Sequence, residues 1–351
     1  MTADDSRAGA DNAGVETDAL RNEEITVLVL AGGLSHERDV SLRSGRRVAE
    51  ALRRQGFSVV ESDVNSDLVS LLQSTPNVVA VPLLHGETGE DGALREVLWL
   101  CDVPYVGATP TASRITFDKS IATTVVRRAG LPTPAQVALP AETFRELGAR
   151  SLVEAMGRRL QLPMMVKPSR SGSALGASKV TEAAELPSAM VHAYAYGSVA
   201  VVESFIEGTE VAVAVLDRGN GPEALPAVEI RPDSGTYDYA SRYTAGATEF
   251  VTPAEVDDAT AQACADLALA AHRALGLRDL SRTDIIIDKS TGVPHFIEGN
   301  VAPGLTETSL VPIALEAAGL DLGEVMGDLV RRAKQRHDDQ TGIDELHRDE
   351  R

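Results

Sequence analysis

The stretch that most constrains this chain runs from Arg282-Thr283-Asp284 through an apolar run to a Lys289-Ser290-Thr291-Gly292 turn and on to Glu298-Gly299-Asn300-Val301-Ala302-Pro303-Gly304. Two strand-like runs joined by a short glycine-containing turn predict a β-hairpin. With a five-residue loop, Asp284 lies opposite Glu298 and Arg282 opposite Asn300, and the two-residue period turns all four toward one face. That face carries two carboxylates, an amide and a guanidinium. Such a set suits Mg²⁺, which takes a few protein oxygens and leaves its other positions to water and phosphate. Taken by itself the spacing equally describes a solvated edge hairpin, so the rest of the chain has to decide.

With 351 residues, 43% of them hydrophobic, the chain can form two or three ordinary globular domains. A formal charge of -19 argues against a nucleic-acid or anionic-membrane surface, so any phosphate site has to be local. Cys101 and Cys264 are the only cysteines, too few for a disulfide framework or a thiolate metal site. No run approaches the ~20 apolar residues of a membrane span, and the acidic N-terminus lacks the features of a signal peptide. The expectation is a cytoplasmic protein with no membrane or nucleic-acid partner.

Residues 1–23 and 336–351 lack apolar periodicity and read as disordered, charged tails. Between them, residues 24–115 read as a small doubly wound α/β unit. Thr26-Val27-Leu28-Val29-Leu30 is a buried strand, Val40 to Arg54 a helix, and Val78 to Leu83 a second buried strand leading into the loop His85–Gly92. A helix is expected from Asp118 to Ala129. Met164–Pro168 then runs into Ser169-Arg170-Ser171-Gly172-Ser173-Ala174-Leu175-Gly176 and a return strand to Val180, a hairpin suited to covering phosphates. Strands dominate from Val199 until a helix from Pro253 to Leu275.

Weighed singly, the candidate site residues are ambiguous. Gly32-Gly33 lacks the full dinucleotide fingerprint. Glu37 could simply be a first-turn acid favouring the helix dipole. Lys119 and Lys167 lie at element boundaries where an ammonium can reach phosphate, and Lys167 is the better candidate because it ends a run that should be buried. Glu203 and Glu210 can accept from an adenine amino group and ribose hydroxyls, with Phe205 and Ile206 as an apolar edge. Tyr237-Asp238-Tyr239 through Arg242-Tyr243 concentrates aromatics in one loop, as a lid or substrate wall would. Cys101 is expected in a core.

Together the motifs resemble the ATP-grasp superfamily and, within it, the D-alanine–D-alanine ligases. The resemblance runs from residue 25 to about 333 and rests on His85-Gly86…Gly89-Glu90-Asp91-Gly92, Lys167–Ser173, Tyr237-Asp238-Tyr239 and Glu298-x-Asn300…Pro303-Gly304, in family order. It implies an α/β ATP-grasp fold, with the unit 24–115 before two α+β subdomains, 116–198 with the phosphate-covering loop and 199–335 with the metal and acceptor sites, that clamp ATP. It further implies that Lys119 and Lys167 bind phosphates, with Arg242 at the lid, and that Glu203, Phe205, Ile206 and Glu210 hold adenine and ribose. Asp284, Glu298 and Asn300 resemble ligands of two Mg²⁺ ions, which Mn²⁺ could replace. Arg282 and the Gly304 N–H resemble the oxyanion-stabilising pair. Glu37, Ser173 and Tyr243 resemble a hydrogen-bonded triad beside the first D-alanine, with His85 nearby, and Ser309 and Leu310 resemble contacts to the second. The implied activity is ATP-dependent formation of D-alanyl-D-alanine for peptidoglycan, through a D-alanyl phosphate, by a homodimer.

Four departures bear on the substrate. Arg242 stands where the family usually has lysine, Ala174 where it has a second serine, Val301 where it has threonine, and Glu307 lies two positions before Ser309. They motivate an alternative, a ligase of the same mechanism joining other amino or hydroxy acids. A nucleotide-binding regulator without turnover is the reading from a different class.

Overall fold

Val27, Leu28, Val29 and Leu30 are all buried, as the apolar run requires, because β1 (Thr26–Leu30) is the middle strand of a sheet covered on both faces. It pairs in parallel with β2 (Ser58–Ser62) and with β3 (Val78–Pro82), in the order β2-β1-β3, and the helix Arg38–Arg54 makes the first crossover. This is the expected doubly wound unit. The computed structural model describes residues 21–233 and 246–349, with side chains as far as residue 340.

A second sheet is built from β4 (Gln136–Pro140), β5 (Met164–Pro168), β6 (Ser178–Val180) and β7 (Val199–Ser204), antiparallel in the order β4-β7-β5-β6. A break between residues 198 and 199 would separate β7 from β4 and β5, with which it pairs, so that boundary moves beyond Ser204. The boundary at 115 likewise cuts the helix Pro110–Phe117.

The third sheet contains β8 (Gly208–Leu216), β9 (Glu223–Ala224), β10 (Val228–Pro232), β11 (Thr248–Val251), β12 (Leu280–Asp288) and β13 (Pro294–Asn300). Its path is β11-β10-β8-β12-β13, with β9 attached to β8. Alternation along β8 sends Ala212, Ala214 and Leu216 into a core shared with Val27, Val29, Val79 and Val81 of the first sheet. Val211, Val213 and Val215 go into an opposite core with Ile285, Ile287 and Phe296 under the helix Asp258–Ala274. The first and third sheets thus share one core, whereas the second has its own around Met164, Val166, Met190 and Val202.

The helix expected from Pro253 begins at Asp258 instead. Asp257 is its N-cap, accepting the Thr260 N–H at 2.8 Å, while the Ala254 N–H is committed to the Ala227 carbonyl at 2.9 Å. Cys101 caps the helix Ala93–Leu100 and is only partly buried, whereas Cys264 is buried. Among the described residues no helix is long and apolar enough to cross a membrane.

The expected C-terminal tail needs correction, as does the inner edge of the N-terminal one. Residues 1–20 lie outside the described residues, but Asn22 is already fastened, donating to the Gln55 carbonyl at 2.7 Å and accepting from Arg331 at 2.8 Å. At the other end the helix Leu322–Asp349 runs as far as Asp349 into the expected 336–351 tail. The start of that stretch is anchored on Asp279, a fully buried carboxylate in left-handed backbone (φ 63°). Its oxygens accept from Arg336 at 2.6 and 2.8 Å and from the Gly107 N–H at 2.8 Å. A buried carboxylate needs these partners, and a polar tail residue supplies two of the bonds. Arg336→Ala is therefore expected to cost roughly 3 kcal/mol in urea unfolding. A loss below about 0.5 kcal/mol, typical of a surface substitution, would show that Asp279 is held well enough without it.

Candidate active site

The β12–β13 hairpin carries the polar face read from the sequence. Arg282 pairs with Asn300 and Asp284 with Glu298. The register near the turn differs: Ile285 pairs with Phe296 and Ile287 with Pro294, and a bulge beside Asp284 absorbs the extra residue, Ile297. The turn is tighter than expected because Asp288 organises it, accepting the Ser290 and Thr291 N–H groups at 2.7 and 3.0 Å. Arg282 holds Asp284 with a fork of two bonds, 2.6 and 2.8 Å, and the Asn300 amide donates to the same carboxylate at 3.3 Å. Glu298 lies 3.3 Å from the Lys119 ammonium.

Lys119 is the first residue of the helix Lys119–Arg128, whose cap Asp118 also accepts from Ser169 Oγ at 2.6 Å. Its N–H donates to the Ser169 carbonyl at 2.8 Å and its ammonium to the Ser171 carbonyl at 2.5 Å, so it is fastened to the loop that leaves β5. On the second sheet Lys167 and Glu203 are both buried and form a 2.7 Å ion pair, since β5–β7 pairing sets Met165 opposite Glu203 and puts Lys167 one diagonal away. Glu203 Oε2 is buried without a hydrogen-bond partner among the described residues. Phe205 and Ile206 follow β7, and the Phe205 ring is covered by the Lys179 ammonium at 3.8 Å. Glu210 lies on β8 opposite Ile286.

Glu37 is not a first-turn acid exposed to water. Its carboxylate is buried and accepts from Ser173 Oγ at 2.7 Å across 136 residues of sequence. Two glycines make room for it: a Cβ on Gly172 would come within 2.3 Å of one Glu37 oxygen, and a Cβ on Gly86 within 2.5 Å of the other. Gly86 also has φ +72°, a conformation that favours glycine. His85, beside it, has Nδ1 2.9 Å from the Ala302 carbonyl. That carbonyl can only accept, so Nδ1 carries the proton and Nε2 is left as a buried acceptor without a partner among the described residues. Burial pushes the His85 pKa down, against the opposing pull of Glu37, which keeps the ring neutral.

These groups surround a cavity of about 730 Å³. Glu37, His85 and Ser173 line it together with Lys119, Arg282, Glu298, Asn300, Gly304, Ser309 and Leu310. Lys167 on β5, paired with Glu203 on β7, and Phe205, Ile206 and Glu210 at the β7–β8 junction are not among its lining residues, nor is Asp284, which is paired with Arg282. Ser309 is the N-cap of the helix Leu310–Ala317, and its hydroxyl accepts the Thr306 N–H at 3.1 Å. Arg242 and Tyr243, with Tyr237-Asp238-Tyr239, lie outside the described residues. Sequence reasoning assigned no role to Glu90, which also lines the cavity and accepts the Gly86 N–H at 2.9 Å. Its position inside the His85–Gly92 loop was the available signal.

Two comparisons decide the relationship. Residues 125–331 match the family model described as D-ala D-ala ligase C-terminus. The D-alanine–D-alanine ligase of Desulforudis audaxviator is 40% identical over 88% of this chain and 98% of its own length. The chain belongs to the D-alanine–D-alanine ligase family. Its fold is accordingly ATP-grasp. Among solved structures, the VanG D-Ala:D-Ser ligase from Enterococcus faecalis shares a TM-score of 0.77 and 29% identity over 88% of this chain and 98% of that one. The D-alanine–D-alanine ligase from Bacillus anthracis complexed with ATP shares a TM-score of 0.74 and 25% identity over 90% and 99%.

Within this family site, the Glu90 carboxyl is displaced upward. Burial first, and then the Glu37 charge, push its carboxyl up to about 7 from the ordinary 4.5. The folded protein therefore holds this proton more tightly than the unfolded chain. The associated stability is full below the unfolded pKa and is lost as pH rises through the folded one. Glu90→Gln is expected to gain stability relative to the parent as pH rises from about 5 to about 7, and then to stay level. Chemical unfolding across that range checks it, and a pH-independent difference would mean that Glu90 ionises normally.

Proposed function

We propose that this chain joins two D-alanine molecules into D-alanyl-D-alanine for peptidoglycan precursor synthesis, with conversion of one ATP to ADP and phosphate. The supporting observation is the single cavity in which the Glu37–Ser173 pair, the Arg282–Asn300 face and the Gly304–Ser309 turn meet. One carboxylate oxygen of the first D-alanine attacks the γ-phosphorus, ADP leaves, and the resulting acyl phosphate is attacked by the amine of the second. Phosphate then leaves and the amine gives up its proton.

Glu37, with Ser173, receives the ammonium of the first D-alanine, and neutral His85 presents its Nε2 lone pair beside it. Lys119 and Lys167 neutralise phosphate oxygens, and Glu203, Phe205, Ile206 and Glu210 take adenine and ribose. Arg282 and the Gly304 N–H hold the oxyanion that forms at the acyl carbon. Ser309 and Leu310, at a helix N-terminus, take the carboxylate of the second D-alanine. Arg242 and Tyr243 close over the cavity and exclude water, which would otherwise hydrolyse the acyl phosphate.

Asp284, Glu298 and Asn300 fit Mg²⁺ as hard oxygen donors on one strand face. Among the described residues no three His, Cys, Asp or Glu side chains form a closed metal cage. Two carboxylates and an amide leave room for phosphate and water, the usual habit of Mg²⁺. Two such ions, replaceable by Mn²⁺, would supply charge neutralisation of the phosphates. A homodimer in the cytoplasm, organised as an N-terminal unit and two clamping subdomains, completes the reading.

A D-serine acceptor is the second reading, favoured by the likeness to the D-Ala:D-Ser ligase. ATP-dependent phosphate release with Mg²⁺ and D-alanine, with the product identified by mass, tests the proposal. D-alanyl-D-alanine is expected, and release that requires D-serine as well would favour the alternative. Glu298→Gln should lower turnover by roughly a hundredfold or more while leaving the unfolding transition near that of the parent. Parent-like turnover in that variant would remove Glu298 from the metal set.

A further inference from the structure

Val40, Arg43, Ser44 and Arg47 lie on one stripe of the helix Arg38–Arg54, spaced by three and four residues. That stripe abuts the turn after β13. Ser44 Oγ accepts the Leu305 N–H at 3.1 Å, Arg47 donates to the Leu305 and Thr306 carbonyls at 3.1 and 2.9 Å, and a Cβ on Gly304 would lie 3.8 Å from Val40. Arg43, between these anchors, lines the Gly304–Ser309 end of the cavity. Glu307 lines the same end from the turn itself. Both side chains are exposed, and neither has an ion-pair partner among the described residues. Two opposite charges thus face one mouth without being consumed by each other or by the fold. The other described side chains of that turn that line the cavity, Thr306, Thr308 and Ser309, are uncharged.

An amino acid near neutral pH is a zwitterion, whereas a hydroxy acid carries only its carboxylate. We propose that Arg43 and Glu307 form an electrostatic selector for the second substrate, drawing its carboxylate toward Arg43 and its ammonium toward Glu307, and so disfavouring hydroxy-acid acceptors. The proposal rests on the ligase reading above. Glu307 alone would repel a carboxylate, and Arg43 offsets that repulsion on one side of the mouth. The ammonium loses its proton only after entry, when the amine attacks. Because both charges are exposed, their effect is one of steering and relative affinity, and salt weakens it.

Competition between acceptors tests this with the full chain, ATP, Mg²⁺ and D-alanine. The second acceptor is D-alaninamide, which lacks the carboxylate, or D-lactate, which lacks the ammonium. Product masses give the partition between acceptors independently of the first step. Arg43→Gln is expected to lower the ratio of D-alanyl-D-alanine to its amide roughly two- to fivefold at low salt. The ratio should return toward the parent value at high salt, and Arg43→Lys should keep most of it. Glu307→Gln should lower the ratio of dipeptide to D-alanyl-D-lactate. Ratios equal to those of the parent at low salt, or shifts that salt does not reduce, would overturn the selector. Absence of any dipeptide with the parent enzyme would instead overturn the ligase reading, and the selector with it.

Discussion

A charged side chain on β12 has only one place to go. The opposite side of the strand carries Ile285 and Ile287 into a dry core with Val211, Val213 and Phe296, so the polar residues of the same strand must gather on the other face. There Arg282 and Asp284, two positions apart, satisfy each other in a fork, and the antiparallel partner adds Glu298 and Asn300 at the matching positions. The bulge beside Asp284 is what lets a short, Asp288-organised turn coexist with that alignment, because a shift of one residue without it would send Glu298 and Asn300 to the wrong face. The cavity, the hairpin and the packing of the third sheet all depend on this one register.

Three cations of the site each stand beside a carboxylate: Arg282 with Asp284, Lys119 with Glu298, Lys167 with Glu203. Pairing is what makes their burial tolerable, since an isolated ion in a low-dielectric setting would be strongly disfavoured. It also makes each cation available to a phosphate and each carboxylate available to a cation by exchange of partners. A chain of net charge -19 can in this way hold an anion locally without a basic surface.

The donor end of the cavity shows the same economy of space. Glu37 and Ser173 are brought together from segments that follow strands of two different sheets, and Gly86 and Gly172 leave room for the carboxylate between them. The His85 tautomer is decided by a backbone carbonyl at Ala302, just before the Pro303-Gly304 turn, so the two ends of the cavity are tied through one imidazole.

Much of this was legible in the sequence because it is local. The apolar run of β1, the hairpin signal at Lys289–Gly292 and the two-residue period of β12 and β13 depend on near neighbours, and they were sufficient to place Arg282, Asp284, Glu298 and Asn300 on a common face. Motif order then carried the family. What the sequence could not contain were contacts between distant segments. Arg336, on the helix Leu322–Asp349, is held because a buried Asp279 needs it, and Glu37 is a buried acceptor of Ser173, which reaches it from the loop after β5. Asp257, not Pro253, starts its helix because Ala254 is already bonded to Ala227. By itself, then, the sequence determined the elements, the strand faces and the family, through periodicity and turn chemistry. Tertiary structure alone decided which charges are buried, which partners neutralise them and which meet in one cavity, because burial cost and pairing depend on segments that approach each other only after folding.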